Sequence, residues 1–135
     1  MTLQLLLESL TNDEREFIAR LDYGNDVGKH RAALDAVIAS GGIVDFNEQG
    51  CWYPYEVIEL GKNSLEEKHE REFAACLGIV LKNIESGHDN SNRLEWIIEN
   101  QADAISRLSP ELRVMITELM DKIINNTSQG VNSTR

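Results

Sequence analysis

At 135 residues, with 41% hydrophobic and 27% charged side chains, the chain is one domain's worth of globular protein, long enough to bury a core without disulfide or metal. Its 23 Asp and Glu oppose 13 Lys and Arg, leaving a net charge of −10. That balance argues against direct binding of nucleic acid or of an anionic membrane surface, because both are gripped mainly by basic side chains.

Residues 1–7 are mostly apolar, but they lack a basic leader region, run into Glu8 and meet no small-residue cleavage site, so no secretory signal is expected. Thr11-Asn12-Asp13-Glu14 spells a capping box: the Thr11 hydroxyl accepts from the Glu14 amide while the Glu14 carboxylate reaches back to Thr11. Apolar residues at helical spacing follow, and Gly24 is the expected stop. Asn25 or Asp26 caps the next helix, where Val27, Leu34, Val37 and Ile38 share a face and Gly41-Gly42 ends the run. Residues 43–53 resist helical reading. Ile43-Val44-Asp45-Phe46 is compatible with a short extended piece, and Pro54 suits the first position of a short helix over 55–60 that Gly61 stops.

Ser64 with Glu67 is a second capping box, opening the longest predicted helix, which runs to Glu85. Its stripe is Leu65, His69, Phe73, Cys76, Leu77, Val80, Leu81 and Ile84, and Gly87 closes it. Caps within 89–92 begin a helix with Leu94, Ile97, Ile98, Ile105 and Leu108 inward. Ser109-Pro110-Glu111 begins the last one, with Leu112, Met115, Ile116, Leu119, Ile123 and Ile124 inward. Residues 125–135 are polar without an apolar period and read as a loose tail. The expected fold is all-α: a single helical domain over 1–124, a bundle of six or seven helices with one irregular loop at about 43–53, and a polar C-terminal tail over 125–135.

Chemistry-bearing patterns are sparse. Glu66…His69 and Glu85…His88 both have Glu-x-x-His spacing, but on one helix they lie roughly 28 Å apart, too far to share a metal cluster. His69 falls on the apolar stripe, where a histidine is ordinarily a partly buried residue with a polar partner. Cys51 and Cys76 have no CxxC spacing and read as free thiols; Cys76 is packing material in a stripe, and Cys51 is the one to test for reactivity. Gly41-Gly42 lacks the Lys and Ser/Thr of a phosphate loop, and Asp22-Tyr23-Gly24-Asn25-Asp26 lacks the glycine position and terminal Glu of a calcium loop. No cofactor and no metal are expected, and no stretch is apolar enough to span a membrane.

Residues 44–72 stand out. Asp45, Glu48, Glu56, Glu59, Glu66, Glu67, Glu70 and Glu72 face only Lys62, Lys68 and Arg71, so half the net charge sits there. Phe46, Trp52, Tyr53 and Tyr55 are half of the chain's aromatic residues. Trp and Tyr dominate interface energetics, and surrounding carboxylates steer a basic partner. Trp52, Tyr53 and Tyr55 are therefore candidate anchors; Glu48, Glu56, Glu59, Glu66, Glu67 and Glu70 are candidate steering charges. The same rings also suit a loop that plugs the helical core.

Trp52-Tyr53-Pro54-Tyr55-Glu56-Val57-Ile58-Glu59-Leu60 with His69-Glu70-Arg71-Glu72-Phe73 is similar to a group of small bacterial proteins to which no catalytic activity is attached. In size, acidity and helix content the chain resembles the immunity proteins that neutralise polymorphic or contact-dependent growth-inhibition toxins. That likeness is one of type and carries no binding residue onto this sequence. It implies a non-enzymatic protein that occludes a basic partner, such as a nuclease-like toxin domain, and the lack of a secretory signal with two cysteines read as thiols makes the cytoplasm the expected location. Two other readings stay open: a small metal-dependent or histidine-using enzyme built on His69 with Glu66, Glu70 or Glu72, and a helical adaptor or regulator that self-associates through its long helix.

Overall fold

The structure, a computed structural model, describes residues 1–20, 27–47, 69–90 and 92–133, the side chains of residue 27 and of residues 126–133 excepted. Among these residues the chain forms six helices and no strand. They are α1 (Leu3–Ser9), α2 (Asn12–Ala19), α3 (Val27–Ala39), α4 (Glu70–Glu85), α5 (Asn92–Ser106) and α6 (Pro110–Ser133). The all-α bundle expected from the sequence is the fold observed. No helix among the described residues is long and apolar enough to cross a membrane.

Local chemistry sets most helix ends. Thr2 Oγ1 accepts from the Leu5 amide at 3.2 Å and starts α1. The Thr11–Glu14 capping box is complete: the Glu14 amide donates to Thr11 Oγ1 at 3.1 Å, and the Thr11 amide to Glu14 Oε1 at 2.8 Å. Beyond α3 the Gly42 amide returns to the Val37 carbonyl at 2.8 Å and the Gly41 amide to Ile38 at 3.1 Å. Closing that paired turn needs left-handed backbone, supplied by Gly41 and Gly42 at φ +76° and +99°. The same closure recurs after α4, with Gly87 at φ +82° and the His88 amide on the Asn83 carbonyl at 2.8 Å.

The helix α4 is the centre of the bundle. Twelve of its sixteen residues are buried, and it packs against α1, α2, α5 and, most extensively, α6. The sequence predicts a one-sided stripe; the structure buries the other side as well, through Ala74, Ala75, Gly78 and Ile79. Small side chains let neighbours approach: a Cβ on Gly78 would lie 2.4 Å from Leu3 Cδ1 of α1. Phe73, Leu77, Leu6, Leu7, Ile18, Leu34, Ile97 and Ile116 interlock around this axis.

Three expectations change. Ile98 and Ile124, expected inward, are 39% and 45% exposed. Each follows a buried isoleucine, Ile97 or Ile123, by one residue, a rotation of about 100° that carries it off the packed stripe. The last helix does not stop at Ile124: its backbone continues to Ser133 through the segment read as a loose tail, where no proline interrupts the hydrogen-bond ladder. With 24 residues it also exceeds α4. The expected caps at Asn25, Asp26, Ser64 and Glu67, the stop at Gly24 and the helix over 55–60 lie outside the described residues.

Between α3 and α4, residues 43–47 are non-helical as expected, but Ile43 to Phe46 pair with no strand among the described residues. Asn83, fully buried on α4, holds them instead. Its Nδ2 donates to the Gly42 carbonyl at 2.9 Å and to the Ile79 carbonyl at 2.7 Å, while its Oδ1 accepts from the Val44 amide at 3.0 Å. Removing that carboxamide strands a buried donor and a buried acceptor of the loop. Asn83→Ala is expected to cost about 2–4 kcal/mol in urea unfolding, and a loss under about 1 kcal/mol would contradict the assigned role.

Candidate functional site

The candidate anchors and steering charges fall mostly outside the described residues: Glu48, Trp52, Tyr53, Tyr55, Glu56, Glu59, Glu66 and Glu67 all do, as does Cys51. Glu70 is described, and its carboxylate is used inside the fold. One oxygen accepts from the Ser109 backbone amide at the start of α6, so Glu70 ties α4 to α6. Leading into the acidic–aromatic segment, Val44 is fully buried while Asp45 and Phe46 face outward, with Phe46 40% exposed. The clamp from Asn83 thus fixes Val44, the first residue of that segment, on α4.

Where α4 begins, a polar cluster joins three helices. Arg71 Nε donates to Glu14 Oε2 at 2.8 Å, and its Nη2 donates to Ser9 Oγ at 2.9 Å. Glu72, only 4% exposed, has a carboxyl oxygen 2.6 Å from His69 Nδ1 in a hydrogen bond. The His69 ring stacks on Phe17 of α2, centroids 3.9 Å apart and planes within 4°. Burial, reinforced by the Glu14 charge, pushes the Glu72 carboxyl above its usual range against the pull of His69. Burial also pushes Glu14 up, but the Arg71 guanidinium and the Thr11 amide outweigh it and hold Glu14 low.

This arrangement pins α1 and α2 to α4. Its carboxylates and imidazole are all engaged by one another or by Arg71, and no group of three metal-ligating side chains occurs among the described residues. Cys76 is fully buried in the core, as its place in the stripe predicts. A groove of about 410 Å³ lies between α1, the Gly41 turn and α6. Leu3, Met115 and Leu119 give it an apolar floor beside Lys82 and Glu118, charges of opposite sign, and Lys82 already pairs with Glu85 at 3.1 Å.

A further exposed aromatic lies apart from the 44–72 segment. Trp96 on α5 is 41% exposed. It sits about 200° around the helix from buried Leu94, so the helical wheel already placed it outward. Beside it Glu95, Glu99 and Asp103 stack at successive four-residue steps, all exposed. Like charges so placed cost an isolated helix about 0.2–0.5 kcal/mol per pair. Arg107 answers Asp103, whereas Glu95 and Glu99 meet no cation among the described residues.

No family model, no curated protein and no solved structure matches the chain.

The carboxyl pair makes a signed prediction. Glu72 keeps its proton to higher pH folded than unfolded, so its contribution to stability falls as pH climbs through the folded value. Glu14 acts oppositely, its contribution being lost as pH falls. A Gln at 72 imitates the protonated carboxyl, one donor and one acceptor, and cannot ionise. The melting temperature of Glu72→Gln, relative to the unaltered chain, should therefore rise between about pH 4 and about pH 7. A difference that is flat or falling with pH would refute the upward shift of the buried Glu72 carboxyl.

Proposed function

We propose that the protein is a non-enzymatic, acidic binding protein of the immunity type, acting in the bacterial cytoplasm to occlude the positive surface of a nuclease-like toxin domain. The observation that carries this reading is the concentration, within 44–72, of half the −10 charge and half the aromatic residues of the chain. A nuclease must present basic groups to phosphates, so an acidic, aromatic surface is complementary to it and repels other acidic proteins. Support comes from the anchorage of Val44 on Asn83, which ties the start of that segment to the most buried helix.

Trp52, Tyr53 and Tyr55 are the anchors in this reading, and Glu48, Glu56, Glu59, Glu66 and Glu67 the steering charges. Glu70 braces α6 instead. The test is titration against basic nuclease-type toxin domains at low and high salt. Association should be tight and salt-sensitive, and either Tyr53→Ala or the charge reversals Glu56→Lys and Glu59→Lys together should weaken it by about tenfold or more. Variants bound as well as the parent at both salt concentrations would remove the proposal.

A further inference from the structure

We infer that the outer face of α5, built on Trp96 with Glu95 and Glu99, is a docking surface for an arginine-bearing segment of a basic protein partner. The inference rests on the acidic-binding reading above but uses a different surface, wholly within the described residues.

Three observations converge. Trp96 holds 41% of its surface in solvent on the side of α5 away from the core, which Leu94, Ile97, Gln101 and Ala104 face. Burying its apolar ring on an incoming partner would release water that the fold alone leaves in place. The carboxylates of Glu95 and Glu99 lie one and three residues away, repel each other at four-residue spacing, and pair with no cation among the described residues. A helix selected only for stability would alternate charge at those steps, so this local conflict is the kind that function retains. Among the described residues, the cations of α5 and its C-terminal end are otherwise engaged: Arg107 by Asp103, and Arg93 by Asp89 at 3.2 Å.

The chemistry selects the partner's side chain. An indole face flanked by carboxylates attracts a cation, and a guanidinium can stack flat on the ring while its edge donates two hydrogen bonds to one carboxylate. An ammonium satisfies one demand at a time. Arginine should therefore be preferred over lysine. Phosphate-bearing ligands and anionic lipid are repelled by the same carboxylates.

The probes are deca-arginine and deca-lysine peptides, added to the full chain carrying Trp52→Phe so that tryptophan emission reports residue 96. Deca-arginine should perturb that emission and bind about fivefold or more tightly than deca-lysine. Calorimetry on the chain with Trp52 intact should show Trp96→Leu weakening deca-arginine about fivefold, Trp96→Phe restoring most of it, and Glu95→Gln with Glu99→Gln weakening it further. The matched pair Glu118→Gln with Asp121→Asn, exposed on α6, should leave it unchanged. Equal binding by Trp96→Leu, or equal weakening by the α6 pair, would overturn the inference. A toxin domain that binds the chain but is indifferent to Trp96→Leu and to the Glu95, Glu99 pair also overturns it. Failure of every basic toxin domain to bind, with the Trp96-dependent arginine preference intact, would count instead against the immunity reading and leave this surface supported.

Discussion

A single carboxamide fastens the turn after α3, at Gly42 and Val44, to the buried helix α4. Asn83 is fully buried, in the last turns of the helix that the other elements surround, and it answers the Gly42 carbonyl and the Val44 amide together. Two glycines at positive φ bring those groups to it. Buried backbone must find partners, and a loop crossing a helical core finds few. With Asn83 in place Val44 enters the core, and Phe46 faces solvent two residues later. Without it, two polar groups would be left dry or the loop would lift away.

The opposite end of α4 is held by charge rather than by an amide. Arg71 joins Glu14 and Ser9, Glu72 joins His69, and Glu70 caps the approach to α6. A pair such as Arg71 with Glu14, partly exposed, contributes modestly on its own, but the network orients α1 and α2 on α4. The same residues look from sequence like part of an acidic face. Three consecutive charged positions, 70 to 72, are in fact distributed among three neighbouring helices.

The boundaries that sequence reveals are those governed by contacts within one turn: the Thr11–Glu14 box, the Gly41-Gly42 and Gly87 stops, and the start at Pro110. What it hides is set at a distance. Asn83 and Val44 are 39 residues apart and Arg71 and Glu14 are 57 apart, so nothing local marks either pair. Asn83 merely interrupts an apolar run, and Glu72 reads as a surface acid although its carboxyl is buried. Ile98 and Ile124 mislead because hydrophobicity alone does not say which of two adjacent isoleucines meets the core. Trp96 was legible from its angle on the helix. The anchors and steering charges of the 44–72 segment, Glu70 aside, lie beyond the residues the structure describes.

The functional account joins these layers: an acidic chain whose aromatic, carboxylate-rich segment starts from a fixed point on the most buried helix. Its central structural claim is that Val44 is anchored. Amide hydrogen exchange on the free protein tests this most directly, because an amide bonded to a buried side chain opens only with the unit that holds it. The account predicts that the Val44 amide exchanges about as slowly as that of Leu77 in the core of α4. Rapid exchange at Val44 with Leu77 still protected would contradict it.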